Sequence, residues 1–177
     1  MQSLIPNPLH PAVVHLPIAL AVLVPLVAIA ALVFIRRGAR ARTAWGISVA
    51  ALAALLLSGW VSLQTGEQQE ERVEDVVAEQ AIHGHEEAAE LFLMTTAGVL
   101  ALGLVGLTPG RLGSAGRLAA TLGTIAILGT GWRVGHTGGM LVYRDGAASA
   151  YATGTASRSV GGDVERPRRD DDEGRRR

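Results

Sequence analysis

Apolar residues in this chain come in long blocks rather than in stripes. Val13 to Ile35 and Ala44 to Leu63 hold no acidic or basic side chain apart from His15, whereas a soluble amphipathic helix interrupts its apolar stripe with charge every turn or so. Each block is long enough to cross a bilayer as a helix. A third block, from about Ala88 to Leu107, and a fourth, from Leu118 to about Tyr143, are less apolar, the fourth carrying Arg133 and His136 near its far end. Two strong spans lend weight to the weaker pair, and the short polar breaks around Arg40 and Pro109 suit antiparallel neighbours. The pattern predicts an all-α, integral membrane four-helix bundle over residues 9–146. The first run, of roughly 24 residues, has no basic stretch before it and is too long for a signal-peptide core, so it reads as a retained span.

Between the second and third blocks, Val73, Val76, Val77 and Ala81 recur at helical spacing against a charged opposite face. This predicts an amphipathic acidic helix over the outer mouth of the bundle, with Gly84 marking a break before the third span. From residue 147 to 177 the chain is rich in Gly, Ala, Ser and charge and is expected to be a disordered tail.

Composition supports a membrane reading, since 49% of the 177 residues are hydrophobic but only 4% are aromatic. The formal net charge of zero hides a sorting of sign. Glu67 to Glu90 holds nine acidic residues and one basic one, Arg72. The break after the first span holds Arg36, Arg37, Arg40 and Arg42, and the one after the third Arg111 and Arg117, with no acid in either. Positive-inside reasoning places both breaks in the cytoplasm, so both termini and the acidic segment face outward (N-out, C-out) in a multi-pass protein of a bacterial inner membrane. Every basic residue is arginine and there is no cysteine, which excludes disulfides, thiolate ligands and haem attached through cysteine.

All five histidines fall at the outward side. His15 lies ~31 Å from Arg36 and His136 ~27 Å from Leu118 at about 1.5 Å per helical residue. His85 precedes the third span, and His10 and His83 lie just outside theirs. Neutral imidazole brings a lone pair into a membrane without burying a charge, and three spans bring one to similar depth. Pro11 suits a first helical turn, while Pro17 and Pro25 each free a backbone carbonyl, of Val13 and Ala21, and bend the helix. In the fourth span Trp132, Arg133 and His136 share a face with Gly129. Arg133 needs an anionic partner, such as Glu90, Glu67, a lipid headgroup or a haem propionate. Gly131, Gly135 and Gly139, and Gly98, Gly103 and Gly106, thin two spans for close helix packing or a flat ligand.

Four ordered motifs, HPAVVHLPIAL, TGEQQEERVED, HEEAAE and GHTGGMLVYRDG, resemble a family of small bacterial four-helix membrane proteins catalogued as domain of unknown function 2231. The family usually has Phe where Leu16 stands and a GVGV-like ending where this chain has Gly146 to Ser149. The resemblance implies a four-helix membrane domain, sometimes near haem proteins, and names no reaction. It highlights His10, His15, Glu67, His85, Gly135, His136, Gly138 and Gly139.

Three readings follow. In the first, a b-type haem is ligated by His15 with His136 or His85, Arg133 pairs with a propionate, and the protein is an electron-transfer or respiratory-type subunit with a membrane or periplasmic redox partner. In the second, a divalent transition metal such as zinc or copper is held by His10, His15, His83, His85 and His136 with Glu67 or Glu90. In the third, the protein is a cofactor-free structural or assembly subunit. No nucleophile with its base, phosphate-binding loop or zinc-protease motif occurs, so independent catalysis is not expected, nor is nucleic-acid binding.

Overall fold

A computed structural model describes residues 10–68, 74, 76–147 and 149. Among these residues five helices follow in order: α1 (His10–Val13), α2 (His15–Arg36), α3 (Ala41–Glu67), α4 (Glu79–Val105) and α5 (Gly110–Tyr143). Helices α1 and α2 form one span, so four segments are long and apolar enough to cross a membrane. Helix α2 packs on α3, α3 on α4, α4 on α5, and α5 closes the ring on α2. The expected four-helix membrane bundle is therefore present.

Its layers are sorted inside out relative to a soluble protein. Buried positions on α3 include Trp45, Ser48, Leu52, Leu55, Gly59 and Ser62, spaced three and four apart as in a coiled-coil seam, with Ser58 buried beside Gly59. On α2 the seam is Ala21, Val24, Ala28 and Ala31, and on α5 Gly113, Gly116, Ala120, Thr124 and Ile127. Small and hydroxyl-bearing residues share the interior with Trp45, Leu52, Leu55 and Ile127, while Leu26, Phe34, Ile47, Leu57, Met94, Leu122 and Ile125 stand exposed. Only 28–33% of each span's apolar window is buried within the protein, so most of it is covered by lipid. Close approach explains several glycines. A Cβ on Gly123 would lie 2.7 Å from Val99, and one on Gly59 2.9 Å from Leu93.

Inward hydroxyls mostly bond their own helix, as Thr96 does to the Phe92 carbonyl and Ser62 to that of Ser58. Ser48 Oγ is the one buried side-chain polar atom without a partner among the described residues. The C-terminal end of α4 is capped from both neighbours. Trp45 Nε1 on α3 donates to the Gly103 carbonyl at 2.8 Å, and the buried Arg117 on α5 donates to that of Gly106 at 2.6 Å. A cation at a helix C-terminus meets unpaired carbonyls and the negative end of the dipole, which lets Arg117 be buried without a carboxylate.

Several local expectations change. The helix breaks at Val14, where Pro17 has no N–H for the Val13 carbonyl, whereas α2 runs through Pro25 uninterrupted. Gly84 does not break the third span, because α4 starts at Glu79 and passes through it; one glycine costs a helix only about 1 kcal/mol. The separate acidic helix falls partly outside the described residues, Val73 among them. Within them, Val76 and Val77 lie in a turn and a bend, and Ala81 belongs to α4. Helix α5 starts at Gly110, eight residues before the apolar block, so Arg111 and Arg117 are helical. The expected tail lies outside the described residues except for Ala147 and Ser149.

Candidate functional site

The chain direction of the four spans puts the start of α1, the end of α3, the start of α4 and the end of α5 at one end of the bundle. All five histidines are there, and helical phase divides them. His15 and His136 stand exposed on the outer surface of the bundle, the latter stacked on Trp132 with ring centroids 5.3 Å apart. His83 is exposed beside two carboxylates, 3.5 Å from Glu79 and 3.2 Å from Glu86. Only His10 and His85 turn inward.

These two are held in the same way. Nδ1 of His10 is 2.9 Å from the Ser62 carbonyl and 3.3 Å from Thr65 Oγ1, and its ring lies over Gly66, where a Cβ would come within 3.2 Å. Nδ1 of His85 is 2.9 Å from Thr137 Oγ1, and its ring lies over Gly138, where a Cβ would come within 3.0 Å. Each threonine hydroxyl donates to a carbonyl three residues back, Thr65 to Ser62 at 3.0 Å and Thr137 to Val134 at 3.1 Å. With its proton so committed, each hydroxyl accepts, and a carbonyl can only accept. In the neutral rings Nδ1 therefore carries the proton at both histidines, and Nε2 keeps the lone pair.

The likeness extends to the sequence. Residues 59–66, GWVSLQTG, and 131–138, GWRVGHTG, share Gly-Trp followed four residues later by Thr-Gly. Gly59 and Gly131 both pack against Phe92, and Trp60 and Trp132 are both exposed. His10 and His85 also begin matching stretches, each followed at the sixth position by leucine, Leu16 and Leu91. The bundle is thus two helical hairpins, α1–α3 and α4–α5, of the same direction and with one inward histidine each. Reading each histidine singly misses this; the repeated GW-x4-TG signal reveals it.

The other expected residues do not join them. Glu67 is exposed and accepts a hydrogen bond from Gln64 at 2.9 Å, and Glu90 is exposed. Among the described residues no three His, Asp or Glu side chains gather as a metal-binding group. The seven residues expected to hold a metal are therefore not gathered into one such group among the described residues. Arg133 is exposed on α5, one turn before Thr137, with no carboxylate in ion-pair range among the described residues. Gly135 and Gly139 face open space, unlike Gly131. Comparison with family models, with curated proteins and with solved structures finds no match to the chain.

Proposed function

We propose that the protein binds a b-type haem between His10 and His85 and serves as an electron-transfer subunit of a bacterial inner membrane, exchanging electrons with a membrane or periplasmic redox partner. One observation carries the reading: two equivalent histidines on different hairpins, each anchored through Nδ1, each with no Nε2 partner among the described residues. A ligating imidazole is held in this manner, its other ring N–H given to a carbonyl or hydroxyl that sets the tautomer. The number of donors also matters. Haem iron takes four nitrogens from its porphyrin and asks the protein for two axial ligands, whereas zinc needs three or four protein ligands. Two inward histidines with no third ligand among the described residues fit the first requirement. Of the axial residues expected from depth alone, His85 stays, His10 takes the second place, and His15 and His136 belong to the interface. Arg133, near the same end, is the candidate partner of a propionate.

The test is the visible spectrum of the protein in mild detergent, as isolated and after adding haemin. A Soret band is expected in the wild type, in His15→Ala and in His136→Ala, with less than about a tenth of it in His10→Ala or His85→Ala. No band after haemin addition, or one that survives both inner substitutions, overturns the proposal. Stoichiometric zinc or copper in a colourless protein would move the assignment to a metal-ion site.

A further inference from the structure

The opposite end of the bundle carries a charge imbalance that no carboxylate among the described residues relieves. Arg36, Arg37, Arg40, Arg42, Arg111 and Arg117 lie there, while residues 1–66 and 91–144 contain no Asp or Glu at all. Among the described residues no arginine has a carboxylate within ion-pair distance. Arg117 is occupied by the end of α4, but the others are exposed.

Beside them is an open groove of about 580 Å³ between α2 and α3. Its walls are apolar, with Val27, Ala30 and Phe34 on one side and Ala44 and Ile47 on the other, and Arg40 and Thr43 stand at its head. Alanines form the groove because they leave unfilled the space a leucine would take. The head is held in place by the turn that ends α2. Gly38 has φ 98°, and the N–H groups of Gly38 and Ala39 return to the carbonyls of Ile35 and Phe34, both at 3.0 Å. This is a Schellman motif, and it leads directly to Arg40 at the N-cap of α3. The N–H groups of Ala41 and Arg42 have no carbonyl earlier in the helix to bond, so the head combines a helix N-terminus with a guanidinium.

We infer that this groove is a binding site for one phospholipid with an anionic headgroup, its phosphate at Arg40 and the first turn of α3, its acyl chain along Val27 to Phe34. The lengths agree. Val27 to Phe34 covers about 10 Å of helix, within the roughly 15 Å of one hydrocarbon leaflet. Charge complementarity selects the lipid, since a zwitterionic headgroup brings no net charge to an end with none of its own acids.

The full-length protein is released from vesicles of equal parts phosphatidylglycerol and phosphatidylcholine, and retained lipid is read by native mass spectrometry. One phosphatidylglycerol per chain is expected, in several-fold preference to phosphatidylcholine. Arg40→Gln should lower its retention about fivefold, and Arg111→Gln, at the same end but outside the groove, less than about twofold. Ala30→Phe, which fills the groove and leaves the charge alone, should lower retention as Arg40→Gln does. Circular dichroism confirms that each variant is folded. Equal retention of the two lipids, equal effects of the two arginine substitutions, indifference to Ala30→Phe, or a lipid-free dimer closed over the groove would each overturn the inference.

Discussion

Whether a side chain faces in or out decides its role here more than its depth does. His10 and His15 are five residues apart, which turns them about 140° from each other around a helix, and His83 and His85, two apart, are turned about 160°. Neither pair can face one centre, so five histidines at one end reduce to one from each hairpin. Depth was legible in the sequence from the apolar blocks; facing was not, because the blocks are apolar all round and give no stripe to orient. Trp45 and Arg117 show the same limit at the other end, where an aromatic and a positive-inside arginine turn out to hold the α4 terminus. Trp45→Phe keeps most of the ring and removes the bond to Gly103. It leaves a buried carbonyl unpaired, which should cost about 1–3 kcal/mol of stability, read as a lower midpoint in detergent unfolding. An unchanged midpoint would show that Gly103 finds another donor.

At the scale of the helices, packing rests on small residues, and the glycines separate into those that meet a neighbour and those that do not. Gly123 has Val99 against it, whereas Gly98 faces open space on the lipid side. The same substitution should therefore act with opposite sign at the two sites. Gly123→Ala forces α4 and α5 apart and should destabilise by about 1–3 kcal/mol, while Gly98→Ala should stabilise by about 0.5–1 kcal/mol through helix propensity alone. Thermal unfolding of the two variants in one detergent tests the contrast, and a loss of stability at both sites would contradict the packing described. The number of helices was legible because each needs some twenty apolar residues. Their ends were not. Helix α5 is 34 residues long, about 51 Å, and so extends well past a hydrocarbon core of about 30 Å into glycine- and arginine-bearing sequence that hydropathy does not count. Gly84 likewise looked like a break because an isolated glycine carries the same signal in a helix as in a turn.

For the molecule as a whole, two asymmetries have to agree. The hairpins α1–α3 and α4–α5 run in the same direction, so they are parallel repeats related about an axis along the bundle, and each returns the chain to the histidine end. Their likeness is hard to read in the sequence because the first helices differ in charge, Pro11 and Ala12 standing where the second hairpin has Glu86 and Glu87, while the matching GW-x4-TG stretches lie far apart. The charge asymmetry was legible throughout, with six arginines and no acid at the end opposite the histidines. Parallel repeats require the two arginine-bearing connections to lie on one side, and the positive-inside rule applied to both predicts one orientation, with the arginines on the cytoplasmic side. A phosphatase reporter that works only outside the cytoplasm, fused after Gly146, should therefore be active. Replacing Arg36, Arg37, Arg40 and Arg42 with glutamine leaves only Arg111 and the sequestered Arg117 to hold the orientation, so reporter activity should fall as part of the population inserts the other way. An inactive fusion in the unmodified protein would place the histidine end in the cytoplasm, and with it the proposed haem.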